Sequence, residues 1–224
     1  MKYSLVIFDM DGTILNTLDD MTDSINHILT LHNLPNHKID DVKYMVGNGI
    51  PKLVERAIPK GKENPEYDAI LKEFIEYYES HSAIKTAPYE GIVECIKKLH
   101  QNGIKIAVNT NKVESAAITL CDDYFPDLFD IISGSKKGIP PKPAPDGIYE
   151  ILNRAKMSLD EVQKNHTAVF IGDSDVDIQT GMNAGLDVIG VDWGFRGRKF
   201  LEENGAPLIV DNADELLNFI VNKN

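Results

Sequence analysis

The chain has 224 residues, 42% of them hydrophobic, which allows one large domain or a core with a smaller attached unit. Its 35 acidic against 23 basic side chains leave a formal charge of −12, which argues against non-specific binding to nucleic acid or to an anionic membrane surface. The two cysteines, Cys95 and Cys121, lie far apart and read as reduced core thiols, and no run is long enough for a signal peptide or a membrane span, so a cytoplasmic location is expected.

Tyr3-Ser4-Leu5-Val6-Ile7 runs apolar and β-prone and reads as a buried strand. Asp9-Met10-Asp11-Gly12-Thr13 follows at its carboxyl end. A continuous strand points Asp9 and Asp11 to one side, whereas Gly12 suggests a turn that lets backbone approach something closely. Two acids beside exposed amides suit a hard cation and a phosphoryl group, with one acid left for attack or proton transfer. An EF-hand is excluded, because Thr13 and Ile14 stand where an acid or amide and a glycine are needed.

Residues 17–33 carry Leu18, Met21, Ile25, Ile28 and Leu29 at helical spacing before a break at Pro35-Asn36. A short helix ends at Gly47, another opens at Gly49-Ile50-Pro51 and stops at Pro59, and residues 65–82 form a strong helical stripe. No strand signal interrupts residues 16–84, which read as a helical insertion directly behind the first strand, leaving 1–15 and 85–224 as the core. Beyond Pro88 the pattern alternates. Helices are predicted over 90–101, about 113–123, near 145–155, from the 172–177 segment to about 184, and over 213–222; strands are predicted at 104–108, 131–132, 168–171, 188–191 and 208–210. Alternation with apolar strands means an α/β fold, a Rossmann-like parallel β-sheet with helices on both faces.

Ligands in such sheets bind beyond the carboxyl ends of the strands. Three strands end in polar clusters: Asp9/Asp11, Thr110/Asn111 and Asp173/Asp177. Unpaired carboxylates repel, so Asp9, Asp11 and Asp173 together demand a cation, and oxygen ligands without histidine or cysteine point to magnesium over zinc. Lys142 sits in a proline-stiffened loop suited to placing a charge, with Lys136 and Lys137 as bland competitors. Residues 134–138 have the wrong glycine spacing for a Walker loop, and the six histidines form no ligand-spaced cluster and default to the surface.

In their order and each behind a strand, Asp9-Met10-Asp11-Gly12-Thr13, Thr110, Lys142 and Gly172-Asp173-Ser174-x-x-Asp177 resemble the motifs of the haloacid dehalogenase superfamily over essentially the whole chain. The resemblance implies that Asp9 is the nucleophile and Asp11 the general acid/base. It implies that Thr110 and Lys142 hold the phosphoryl oxygens, that Asp173 with Asp9 binds Mg2+, and that Asp177 supports them. Residues 16–84 match the inserted α-helical cap of that family. Asp11 separates the chain from true dehalogenases, which lack a carboxylate there. Residues 12–18, Val46-Gly47-Asn48-Gly49 with Arg56, and 191–197 resemble the phosphoglycolate phosphatase branch, with Asn16 in place of its usual aspartate.

The expected function is therefore a Mg2+-dependent phosphatase of a small phosphorylated metabolite, monomeric or homodimeric, with 2-phosphoglycolate first among substrates. Pyrophosphatase, nucleotidase, sugar-phosphate phosphatase and phosphosugar mutase activities are the alternatives. Gly12 and Asn111 are expected to bind substrate, Gly47 and Asn48 to face it from the cap, and Arg56 to meet a second anionic group such as a glycolate carboxylate.

Overall fold

The computed structural model describes residues 3–222. Along the chain, β1 (Leu5–Phe8) and β2 (Leu15–Asn16) precede α1 (Leu18–Leu31), α2 (Ile39–Val42), α3 (Ile50–Ala57) and α4 (Tyr67–His81). Then come β3 (Ala87–Pro88), α5 (Ile92–Gln101), β4 (Lys105–Val113), α6 (Glu114–Tyr124), β5 (Ile131–Ser135), α7 (Asp146–Ala155) and α8 (Leu159–Asn165). The chain ends with β6 (Ala168–Gly172), α9 (Asp175–Asn183), β7 (Asp187–Val191), α10 (Arg198–Glu203), β8 (Ile209–Val210) and α11 (Ala213–Asn222). Contacts divide it into two compact units, one made of the chain up to Leu15 and from Pro88 onward, the other Asn16–Ala87.

The first unit is built on a six-stranded sheet in the order β5-β4-β1-β6-β7-β8, with every pairing parallel. Side chains alternate across it, as a pleated strand requires. Val6, Phe8, Ile106, Val108, Val169 and Ile171 face α5, α6 and α11, whose Ile96, Leu99, Leu120, Leu216 and Ile220 complete that side. Leu5, Ile7, Ala107 and Phe170 face α7 through Ile148, Ile151 and Leu152. Both faces are therefore dry, which is why these strands read as unbroken apolar runs. Cys95 and Cys121 are buried free thiols, on α5 and α6, and burial pushes both up to about 12. No helix among the described residues is long and apolar enough to cross a membrane.

β4 is longer than its apolar run predicts. Asn109-Thr110-Asn111-Lys112 has turn composition, yet the strand continues to Val113 with an irregular register against β5 between Asn109 and Val113. Pairing with a neighbouring strand overrides the local turn preference there. The helices α8 and α10 escape periodicity because each buries a single residue, Val162 and Leu201.

In the second unit α1 and α4 pack together, burying Met21, Ile25, Ile28 and Leu29 with Ile70, Phe74 and Tyr78; Leu53, Val54 and Ala57 of α3 also pack on α4. His32 departs from the surface default. Its ring lies 2.9 Å from Glu73 and 3.5 Å from Glu66, with a side chain only 13% exposed. The Glu73 hydrogen bond raises the imidazole's pKa above its ordinary value. The unit closes at Ala87 because Asp20 gathers the returning backbone: its carboxylate accepts from the N–H groups of Ile84, Lys85 and Thr86 and from the Thr86 hydroxyl.

Candidate active site

β1 occupies the middle of the sheet, with β4 on one side and β6 on the other. The chain winds outward in both directions from it, so its carboxyl end is a topological switch point, where a crevice opens in such sheets. Asp9 follows β1, Thr110 lies in the extension of β4, and Asp173 follows β6.

Asp9, Asp173 and Asp177 are all buried and each offers a carboxylate oxygen within 4.8 Å of the others. Lys142 reaches in from the loop before α7. Its Nζ lies 2.6 Å from Asp9 Oδ1 and 2.6 Å from Asp177 Oδ1. One ammonium among three buried carboxylates leaves an uncompensated negative charge. Burial, reinforced by the charge of Asp177, accordingly raises the Asp9 carboxyl well above the usual range, and Lys142 only partly opposes this. Burial and Asp177 likewise push Asp173 up to about 7, against the Phe195 N–H and the Arg196 charge. Burial alone would lower the Lys142 ammonium's pKa, but Asp177 and Asp9 outweigh it and raise the value.

The three acids are not equivalent. Asp177 sits in the first turn of α9 and closes a capping box: its Oδ2 accepts from Ser174 N–H and Ser174 Oγ, while Oδ1 accepts from Lys142. Both of its oxygens are committed to protein donors. Asp173 Oδ2 accepts from the Phe195 N–H at 2.7 Å.

Asp11, expected among the metal ligands, stands apart from this cluster. Its Oδ1 lies 3.2 Å from the Nζ of Lys112, an ammonium whose side chain is 3% exposed. The turn after Asp9 separates the two acids, which a straight strand would have put side by side. Gly12 makes that turn at φ +90°, and a Cβ there would come within 2.5 Å of Asp173 Oδ2. Thr110 is buried, and its Oγ1 accepts from the Lys112 N–H.

Asn111, expected to bind substrate, is placed against the loop that carries Lys142. Its Oδ1 accepts from the main-chain N–H of Lys142 at 2.8 Å and its Nδ2 donates to the Lys142 carbonyl at 3.2 Å, so it fastens the loop that carries the lysine. In the second unit Arg56 donates from Nη1 to the Met45 carbonyl and from Nη2 to Asn48 Oδ1, bracing the loop that holds Gly47 and Asn48.

Two supports went unpredicted. The segment after β7 backs the site: Trp193 Nε1 donates to the Thr13 carbonyl, and Phe195 holds Asp173. A Cβ on Gly194 would overlap Asp173 and the Gly12 carbonyl. The resemblance of residues 191–197 to the phosphoglycolate phosphatase branch marked this segment, but not which groups it holds. The second is Lys112 itself, which composition could not tell from a solvated lysine.

Comparison with protein families matches residues 6–191 to the haloacid dehalogenase-like hydrolases. A phosphoglycolate phosphatase of Mesorhizobium japonicum is 31% identical, covering 93% of this chain and 91% of that protein. One of Agrobacterium fabrum is 32% identical, with 93% and 89% covered. A crystal structure from Lactobacillus delbrueckii subsp. bulgaricus, assigned provisionally as a phosphoglycolate phosphatase, superposes with a TM-score of 0.91 at 36% identity over the full length of both chains.

Proposed function

The chain belongs to the haloacid dehalogenase-like hydrolases, and from that membership we propose that it is a Mg2+-dependent phosphatase converting 2-phosphoglycolate to glycolate and phosphate. The observation that carries the reading is Asp9: a buried carboxylate at the switch point, gripped by Lys142 and flanked by Asp173. The substrate is supported by the names of relatives that align over nine-tenths of this chain.

In this reading a carboxylate oxygen of Asp9 attacks phosphorus and the ester P–O bond breaks. The departing oxygen takes a proton from Asp11, and Asp9 is left as an acyl phosphate. Water then gives a proton to Asp11 and attacks the same phosphorus, which releases phosphate and restores both acids. Two displacements replace one difficult one. Lys142 and the Thr110 hydroxyl hold the phosphoryl oxygens, so the anionic nucleophile and the anionic group can approach. Asp177 anchors Lys142 through its second contact.

The donor set fits a hard divalent cation, because buried carboxylate oxygens converge with too little protein positive charge. With Asp177 committed to Ser174 and Lys142, Asp9 and Asp173 would hold the ion. Bound there, Mg2+ would offset charge on the transferring phosphoryl group.

The test is purified protein with 2-phosphoglycolate and Mg2+. Glycolate and free phosphate are expected in equal amounts, with activity lost in excess chelator and restored by Mg2+; a mutase would release no phosphate. Asp9→Asn, folded by circular dichroism, should retain less than about a hundredth of the rate. Full activity in chelator, or a brisk Asp9→Asn variant, overturns the reading.

A further inference from the structure

Phosphoryl transfer as described uses one lysine, yet two are buried at the carboxyl ends of the central strands. Lys142 serves the phosphoryl group. Lys112, two residues past Thr110 on the extension of β4, lies with Nζ 3.2 Å from Asp11 Oδ1 and with its side chain 3% exposed. A buried ammonium costs several kcal/mol in desolvation, and the hydrolytic step needs no second one. Its position is informative. In an in-line displacement the leaving oxygen lies opposite Asp9, and Asp11 is the group that protonates it. An ammonium touching Asp11 is therefore beside the leaving group, on the side away from the nucleophile.

We propose that Lys112 is a specificity-determining residue that binds the carboxylate of a phosphorylated 2-hydroxy acid. This rests on the phosphatase reading above and adds the part of the site that reads the leaving group. In such a substrate the carboxylate carbon is attached to the carbon bearing the ester oxygen. An oxygen handed to Asp11 therefore brings the carboxylate to the neighbouring ammonium. An ammonium carries three donors in a rotatable cluster, so one centre can serve Asp11 and a substrate carboxylate together. The residue expected to play this part, Arg56, spends both Nη groups on Met45 and Asn48 within its own unit.

The experiment compares 2-phosphoglycolate with ethyl phosphate, which keeps the two-carbon frame and lacks the carboxylate. Wild-type enzyme should prefer 2-phosphoglycolate. Lys112→Met should lower kcat/KM for 2-phosphoglycolate about 10- to 100-fold more than for ethyl phosphate, the range of a charge-assisted hydrogen bond. Lys112→Arg, which keeps the charge, should restore most of the discrimination.

Ethoxide is the poorer leaving group, so any damage to Asp11 as the acid falls at least as heavily on ethyl phosphate and does not mimic the expected selective loss. Lys112→Gln carries the same comparison should the methionine variant fail to fold. Equal losses on both substrates would make Lys112 a structural partner of Asp11 and overturn the proposal, as would a wild-type enzyme indifferent to the carboxylate. Hydrolysis of neither substrate by the wild type would instead overturn the phosphatase reading, and this inference with it.

Discussion

Lys142 is useful only if its ammonium stays between Asp9 and Asp177, and the group that fastens its backbone is the Asn111 side chain. Two hydrogen bonds, to the N–H and the carbonyl of the same residue, fix the loop's height and rotation at once. Asn111→Ala removes both, at roughly 1 kcal/mol each. The expected result is a fall in kcat/KM on the order of tenfold, equal for 2-phosphoglycolate and ethyl phosphate because the defect sits at the phosphoryl group both share. Steady-state kinetics on the two esters checks this, and an unchanged rate would make the clamp irrelevant to turnover. The contrast with Lys112, where the two esters should part, separates a group that positions the proposed phosphoryl-binding lysine from one proposed to read the substrate. Neither role could be seen in the residue types, since Asn-Thr-Asn-Lys is ordinary turn composition. What was visible was the coincidence of polar clusters behind three strands; the partners of each group were fixed by residues far away along the chain.

At the scale of elements, the loop closing the second unit depends on one carboxylate. Asp20, in the first turn of α1, is 2% exposed and takes the backbone of Ile84, Lys85 and Thr86, more than sixty residues on. Replacing it by alanine strands three N–H donors, each costing about 1–3 kcal/mol if left unsatisfied. With a conversion of about 2–4 °C per kcal/mol for a chain of this size, the low end of about 1 kcal/mol per donor already means that Asp20→Ala should lower Tm by roughly 6–12 °C, and Asp20→Asn by less because an acceptor remains. A circular-dichroism melt decides it, and a shift under 1 °C would show that the strap is held elsewhere. The sequence announced α1 and α4 through their apolar stripes and the parallel sheet through its apolar runs, because those signals are periodic and local. It could not announce this strap, nor the groups that Trp193 and Phe195 hold behind Asp173, because each contact joins residues with no shared period. The return boundary at Ala87, three residues past the predicted 84, has the same cause: Asp20 holds Ile84–Thr86 to the helical unit.

For the molecule as a whole, the buried acids tie stability to pH and, under the proposed function, to metal. Burial and the Asp177 charge raise Asp173 to about 7 from an ordinary 3.8, and Asp9 shifts in the same direction. Both groups hold protons more tightly in the folded chain than in the unfolded one. Between about pH 4 and 7 the folded state therefore binds more protons, and these two sites favour folding less as pH rises through that window. The Asp173 contribution is greatest in acid, where that group is neutral, and is lost once it ionises; Asp9 acts in the same direction. A cation held by Asp9 and Asp173, as proposed above, would bind the ionised forms and so return stability where the acids alone have lost it. The increment in Tm produced by saturating Mg2+ over excess chelator should therefore be small at pH 5 and several degrees at pH 8. Other carboxylates titrating in the same range move both arms alike and drop out of the difference. Asp173→Asn removes one ionisation and one ligand together, so its increment should be small at both pH values. Equal Mg2+ increments at pH 5 and pH 8 in the unaltered protein would show that the ion binds away from these carboxylates and would remove the metal from Asp9 and Asp173.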